Sequence, residues 1–105
     1  MINYFKNIST IITGHVFRSK IPYNIGGNIN LLNMDAISTA GVVRISEEDI
    51  KKIQLDDIKP EEIIMPGDIL FKAKGLNNTA VLIESIPPKT TVTASCHIIR
   101  VTDKN

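Results

Sequence analysis

The hydrophobic pattern of the chain consists of short, β-branched apolar runs separated by polar, glycine- or proline-containing breaks. Runs of four to ten residues with this composition are typical of strands. They occupy residues 8–12, 29–34, 42–45, 69–73, 79–85 and 92–101. The first can also be read as a short helix, and the last is long enough that a bend or bulge is expected near Ser95.

Two segments between these runs predict helical turns. Ser46 is a suitable N-cap and is followed by three acidic residues, after which Ile50, Ile53 and Ile58 recur at roughly helical spacing. Pro60 predicts a second turn, since proline is well accepted at the first helical position. The pattern as a whole predicts an α+β fold, with a curved, mostly antiparallel sheet or partial barrel and one or two short helices.

A Pro-Gly-Asp turn at residues 66–68 leads into the run that ends at Gly75. Because side chains alternate along a strand, Lys72 and Lys74 share one face while Phe71 shares the other with Ala73. We expect the Phe71 face to pack on the core and the lysine face to point outward. Such a face suits a phosphate backbone, and it suits bulk solvent equally well.

Length and composition narrow the class of protein. The 105 residues fit one domain, 1–105, and 43% apolar residues indicate a folded chain. No apolar run reaches the ~18–20 residues that span a bilayer, and the N-terminus lacks a secretory signal. The single cysteine excludes an internal disulfide, and neither it nor the two histidines show the spacing of metal ligands. A cytoplasmic domain without membrane, metal or cofactor is expected.

Charge is segregated along a chain whose net charge is only +1. Residues 46–68 contain eight acidic residues and three lysines, a balance of −5, and the remainder contains nine basic and three acidic residues, a balance of +6. Such a chain can present a basic face while remaining nearly neutral. The plainer interpretation is a solvated acidic segment with lysines scattered elsewhere.

The sequence offers no set of residues for catalysis. Cys96 and His97 are adjacent, so on a strand they point to opposite faces and do not form a thiolate–imidazole pair. Met65-Pro66-Gly67-Asp68 resembles part of the motif of signal-peptidase-like serine peptidases, but Ile64 stands where their nucleophilic serine belongs. We therefore predict no enzyme and no catalytic residue.

Several segments resemble, in their order, a known family of DNA readers. They are Ile11-Ile12-Thr13-Gly14, residues 29–37, Gly41-Val42-Val43, residues 66–75 and Ala80-Val81-Leu82-Ile83. Together they resemble the target recognition domain of type I restriction–modification specificity subunits, from about Ile8 to Val101. The Pro-Gly-Asp-Ile-Leu-Phe element is the most specific of them.

The resemblance implies duplex DNA as the ligand and a type I modification methyltransferase subunit as a partner. Lysine and arginine would hold phosphates, while amides and guanidinium groups would reach base edges. The candidate DNA-binding residues are Arg18, Lys20, Lys72, Lys74, Asn77, Asn78 and Lys89. Asn77-Asn78 is also good turn chemistry, and Lys89 also serves to keep a proline-rich loop soluble.

The chain departs from the family in one respect. Specificity subunits carry two such domains separated by long helices, and no stretch here has the length or heptad pattern of such a helix. Tight DNA recognition would then need a homodimer or a partner subunit. A second hypothesis is a protein-interaction or self-association module of the same fold without DNA binding, using the acidic segment and an exposed sheet edge.

Overall fold

The computed structural model describes residues 9–33, 41–74 and 77–101, and strands dominate them. The strands are β1 (Ser9–Thr13), β2 (Ile29–Leu32), β3 (Gly41–Arg44), β4 (Ile50–Ile53), β5 (Ile69–Lys74), β6 (Asn77–Ser85), β7 (Thr90–Thr91) and β8 (Cys96–Val101). Two single 3-10 turns, Glu47–Asp49 and Pro60–Glu62, complete the regular structure of this part of the chain.

The strands form two mixed sheets. The large sheet has the order β1-β8-β5-β6-β3, and the small sheet has the order β4-β2-β7. Neighbours are antiparallel except in the pairs β3–β6 and β2–β7, which are parallel. The described residues are mostly strand with few helical turns, which agrees broadly with the predicted α+β class. The two sheets do not close into a barrel.

β2 is the central strand of the small sheet and is covered on both faces, so every one of its residues is buried, whereas β4 at the edge exposes Lys51 and Lys52. Leu32 belongs to the main core between the two sheets, together with Leu70, Val81 and Ile98 of the large sheet. Ile29 and Leu31, which point the other way, belong to a second cluster. We call the face of the large sheet that packs on the small sheet its core face, and the opposite one its open face.

The helix expected after Ser46 is wrong beyond its first turn. One 3-10 turn, closed by hydrogen bonds from the Ser46 N–H and hydroxyl to the Asp49 carboxylate, runs directly into β4. Ile50 lies in the main core and Ile53 in the second cluster. Residues three apart point to opposite faces of a strand but share a helix face, so only a strand supplies both cores.

The bend expected near Ser95 is confirmed. Between β7 and β8 the chain turns, with the Cys96 N–H donating to the Thr93 carbonyl at 3.1 Å. The strand predicted at 29–34 is confirmed over Ile29–Leu32, whereas Met34 lies outside the described residues. Among the residues described, no helix has the length and apolar character required to cross a bilayer.

Candidate nucleic-acid interface

The Pro-Gly-Asp turn is a structural tie between β5 and its neighbours. Gly67 adopts a positive φ of 97°, a conformation that favours glycine, and its N–H donates to the Ile83 carbonyl at 2.7 Å. Asp68 is only 3% exposed, and its carboxylate accepts the Met65 N–H at 2.8 Å. The motif therefore fixes where β5 begins and contributes no side chain to a ligand surface.

Arg100 completes this tie from β8. Its Nε and Nη2 donate to the two carboxylate oxygens of Asp68 at 3.0 and 2.7 Å, and Nη2 also donates to the Ile63 carbonyl at 2.8 Å. The hydrogen bond to Asp68 raises the pKa of the Arg100 guanidinium above its usual value. Through these paired hydrogen bonds Arg100 links β8 to the segment that precedes β5.

The expected orientation of β5 is wrong. Leu70, which shares the face of Lys72, is fully buried in the main core, whereas Phe71 is half-buried on the open face. Lys72 is itself half-buried where the core face ends, opposite Cys96 of β8. A lysine fits there because its long aliphatic stem can pack on apolar neighbours.

Cys96 is a buried core residue, and no nucleophile–base pair forms with its neighbour. Burial raises the pKa of the Cys96 thiol to about 11, although the nearby positive charge of Lys72 acts in the opposite direction. Cys96 packs in the main core, whereas His97 pairs with Phe71, a position on the open face. The prediction that these two side chains point to opposite faces is confirmed.

One end of the large sheet brings together the two segments that contain most of the candidate residues. Lys72 pairs with Cys96, and the Cys96 carbonyl accepts the N–H of Gly14, the first residue after β1. Since β8 lies between β1 and β5, two strand spacings, or about 10 Å, separate the backbones of Gly14 and Lys72. We call this the hairpin end, because the last pair of the β5–β6 ladder, Lys74 with Asn77, lies beyond Lys72.

The loop that follows Gly14, here called the first loop (residues 14–28), is anchored on the core-face side. A side chain at Gly14 would collide with the Thr93 carbonyl, so only glycine allows this close approach. The next residue, His15, is buried, and its N–H donates to the Val92 carbonyl at 2.8 Å. Phe17 and Ile21 pack against the second cluster beneath the small sheet. The loop and Lys72 are thus on the same side of the large sheet.

Arg18 and Lys20 are exposed on this loop and line a hollow of about 650 Å³. Lys59, also exposed, comes from the acidic segment and lines the same hollow. Two carboxylates line it as well, those of Asp57 and Glu62. Because the cations outnumber the carboxylates by one, the rim of the hollow is weakly positive.

The floor of the hollow contains a histidine–carboxylate pair. His15 Nδ1 lies 2.8 Å from Glu62 Oε1, and His15 Nε2 lies 3.8 Å from Asp57 Oδ1. Glu62 is largely occupied by His15 and by the Lys59 N–H at 3.1 Å, whereas the Asp57 side chain is 82% exposed. Asp57 is therefore the carboxylate that an approaching anion meets.

Lys89 lies on a different part of the molecule. The chain leaves β6 at the end of the large sheet opposite to the hairpin end, and Lys89 follows four residues later with a positive φ of 56°. Its carbonyl accepts the N–H of Asn30, whose side-chain oxygen accepts the Lys52 ammonium at 3.1 Å. Lys89 is exposed beside the small sheet, and it does not belong to the hairpin end.

Lys52 and Lys59 are not among the residues predicted from the sequence, because both belong to a segment whose net charge is negative. Lys52 emerges at Asn30 only through the antiparallel pairing of β2 with β4. Lys59 joins Arg18 and Lys20 through the packing of the turn at Pro60–Glu62 against His15. Both contacts join residues that lie far apart in the sequence, so neither was predictable from local patterns.

The described residues contain no group of three or more histidine, cysteine, aspartate or glutamate side chains able to hold a metal ion. Comparison with protein-family models gives no match to this chain. A search of curated proteins likewise finds none that matches it.

Proposed function

We propose that this chain is a non-catalytic, sequence-specific DNA-recognition module, similar to one target recognition domain of a type I specificity subunit. The observation that supports the proposal best is that the first loop leaves the large sheet at the hairpin end, beside the β5–β6 hairpin. Six of the seven candidate residues belong to these two segments: Arg18, Lys20, Lys72, Lys74, Asn77 and Asn78.

The proposed mode of binding divides the work between two kinds of side chain. Arg18, Lys20 and Lys72 supply positive charge for phosphates, which fixes the position of the duplex without reading it. An asparagine amide in the hairpin can read adenine, and a guanidinium can read guanine, in the major groove. Lys89 would contact a more distant phosphate, or none.

The number of cations sets the expected affinity. Few phosphate contacts give weak binding that depends strongly on salt, so the module should require a second DNA-binding unit. A type I modification methyltransferase subunit in the cytoplasm is the partner that the family resemblance favours, and it would also supply all of the chemistry.

Titration of a labelled random-sequence duplex at low and moderate salt tests the proposal directly. The parent chain should bind, with the logarithm of affinity falling linearly with the logarithm of salt concentration. A Lys72→Gln/Lys74→Gln double variant should bind about tenfold more weakly, and its salt slope should be smaller by about 2 if each lysine neutralises one phosphate.

A matched control removes the same charge elsewhere. Arg44 is exposed and lies outside the first loop and the hairpin, so an Arg44→Gln variant should lose much less affinity than a Lys72→Gln variant. Equal losses of affinity in the two variants would mean that binding depends on the net charge of the chain and not on the proposed surface. No duplex binding at low salt, alone or with the methyltransferase, would refute the proposal.

Sequence specificity needs its own measurement. Repeated selection from a random duplex pool, with and without a type I modification methyltransferase, should enrich one short motif. Replacing Asn77 and Asn78 with alanine should relax the enriched motif without changing the salt slope, because amides neutralise no phosphate. An unchanged motif would remove the two asparagines from the site.

A protein-interaction or self-association module without DNA binding is the second candidate. One specific observation favours it, the apolar character of the open face of the large sheet, where Ile11 is 69% and Val42 62% exposed. This function predicts stable association with a protein and no duplex binding even at low salt.

A further inference from the structure

Part of the first loop, here called the Tyr23 turn (residues 23–26), is fastened to the outer edge of the small sheet. The Asn24 N–H donates to the Lys52 carbonyl of β4 at 3.0 Å, and Tyr23 forms an antiparallel bridge with Ile53. Since β4 is the last strand on that side of the sheet, the turn takes the place that a further strand would occupy.

The backbone of the Tyr23 turn is closed by hydrogen bonds of its own. The Asn24 side-chain oxygen accepts the Gly26 N–H at 2.9 Å, and the Asn24 carbonyl accepts the Gly27 N–H at 2.9 Å. A side chain at Gly27 would collide with the backbone of Ile53, so glycine permits this close approach to β4. Backbone contacts therefore fix the position of the turn on the sheet.

In spite of these ties, the turn leaves its two large apolar side chains in solvent. Tyr23 is 58% and Ile25 96% exposed. Both line a groove of about 570 Å³, together with Lys51 and Lys52 of β4. Pockets that take small organic groups have volumes of ~300–1,000 Å³ and combine apolar walls with a few polar groups. The groove has the size and the composition of such a pocket.

The groove keeps the positive charge of both lysines. Lys51 Nζ lies 5.5 Å from the centroid of the Tyr23 ring, and Lys52 Nζ donates to Asn30 Oδ1 at 3.1 Å. Neither partner is charged, and none of the described residues that line the groove carries a carboxylate. By charge complementarity, the groove suits an anion that also has an apolar or aromatic part.

We propose that this groove binds unpaired nucleotides of a DNA strand. A base would stack on the Tyr23 ring and rest against Ile25, while Lys51 and Lys52 neutralise the phosphates on either side. A positive groove with an aromatic side chain is the arrangement by which proteins bind single strands, since every base offers a flat face. A nucleotide thus satisfies the ring and the two ammonium groups at once.

The surroundings of the groove favour a nucleic acid over other anionic partners. Pro22 lines the hollow that Arg18 and Lys20 also line, and its neighbour Tyr23 lines the groove, so the cations of both continue along one loop. An acidic protein matches the lysines but carries no ring at each charge, and a bilayer is too flat to enter a groove. The inference goes beyond the proposed duplex recognition, and it needs none of the hairpin residues.

Tyrosine fluorescence gives a direct test, because the chain has two tyrosines and no tryptophan. In a Tyr4→Phe variant, Tyr23 is the only emitter. Titration at low salt with an oligothymidylate of about ten nucleotides should quench its emission, since a base stacks on the ring. The matched control is Tyr23→Phe, in which Tyr4 is the only emitter. It should bind as the parent does and show no quenching beyond the light absorbed by thymine.

Fluorescence anisotropy of a labelled oligothymidylate measures the contribution of each group. Tyr23→Leu removes the aromatic ring and should weaken binding about tenfold, whereas Tyr23→Phe should keep the affinity of the parent. Lys51→Gln should reduce the salt slope by about 0.7, the contribution of one phosphate contact in a single strand. Arg44→Gln, which removes an exposed cation from the other sheet, should leave the slope unchanged. Circular dichroism verifies that each variant is folded.

Several outcomes would overturn the inference. They are absence of quenching in the Tyr4→Phe variant, equal affinity of Tyr23→Leu and the parent, and equal quenching by polyglutamate and by the oligonucleotide. Quenching by phosphatidylserine vesicles but not by the oligonucleotide would assign the groove to a membrane instead. Duplex binding by the same samples separates the two proposals. A chain that binds duplex without quenching by oligothymidylate contradicts only this inference, and one that is quenched but binds no duplex contradicts only the proposed function.

Discussion

The two ends of the large sheet use charged residues in opposite ways. Where β5 begins, Asp68 is buried, and Arg100 donates two hydrogen bonds to its carboxylate. On the first loop, whose anchor Gly14 lies at the hairpin end, Arg18 and Lys20 are exposed on the rim of a hollow. The charges of Asp68 and Arg100 pair with each other and stabilise the fold, whereas those of Arg18 and Lys20 face solvent, where a ligand can reach them.

This difference separates the residues that carry the family resemblance from those proposed to bind. The Pro-Gly-Asp motif is the most specific part of the resemblance, yet in the structure it ties β5 to Met65, Ile83 and Arg100. In this chain the motif serves the fold and not a ligand surface. The residues proposed to bind DNA belong instead to the first loop and the β5–β6 hairpin.

Removing the Asp68 carboxylate should give the largest effect. Asp68→Ala removes the carboxylate opposite the Arg100 charge and leaves Arg100 Nε and the Met65 N–H without their acceptor, and we expect the free energy of unfolding to fall by about 4 kcal/mol. Chemical denaturation measures this. Glu84→Ala, which breaks the exposed pair with Arg44, is the control and should cause no measurable loss. Equal losses would mean that burial does not distinguish the two pairs.

The buried thiol at the hairpin end makes stability depend on alkaline pH. The pKa of Cys96 rises from 9.0 to about 11 on folding, so the folded state retains the thiol proton longer than the unfolded state does. Its contribution is complete below pH 9 and should be lost as the pH rises toward 11, a total of about 3 kcal/mol. Urea denaturation across this range should show the decline in the parent and a smaller one in Cys96→Ala. An identical pH dependence in both proteins would contradict the assignment.

Removing the two cations of the first loop should affect binding without affecting stability. Arg18→Gln/Lys20→Gln should lower affinity for a duplex about tenfold, since two phosphate contacts are lost, while the unfolding free energy stays within error. Fluorescence anisotropy and denaturation of the same samples give both values. A stability loss comparable to that of Asp68→Ala would show that these residues belong to the fold.

The smallest expected effect is a gain. Asp57 is 82% exposed and lines the same hollow as Arg18 and Lys20, so its negative charge should repel a phosphate. Asp57→Asn should raise duplex affinity about threefold at low salt, and the gain should shrink at high salt as charges are screened. Asp56→Asn, which changes an exposed neighbour outside the lining of the hollow, is the matched control. A decrease in affinity would exclude DNA from the hollow.

Several elements were predictable because their signals are local. The β5 strand, the turn at Pro60 and the bend before Cys96 follow from alternation, proline geometry and strand length. The helix expected after Ser46 failed because Ile50 and Ile53 serve different cores. Two isoleucines three positions apart fit one face of a helix, and they fit equally well a strand that contacts a different core on each side. Only the pairing of β4 with β2 in the small sheet distinguishes the two.

The sequence was enough to name several candidate binding residues, but not to predict which of them lie together on one surface. Arg18 and Lys20 could be named from the sequence, whereas the contribution of Lys59 depends on tertiary packing. The orientation of Lys72 was also missed, because alternation identifies which residues share a face but not which face meets the core. Lys89 appeared equivalent to the others in sequence and lies beside the small sheet instead.

The sequence by itself determined that the chain forms short strands, that β5 follows a Pro-Gly-Asp turn and that Cys96 and His97 diverge. These features depend on backbone preferences and on the two-residue period of a strand, which act within a few residues. Only the tertiary structure decided that the small sheet covers the Leu70 face and leaves the Ile69 face open. The choice depends on contacts between residues far apart in the chain, because the small sheet can cover only one face of the large sheet.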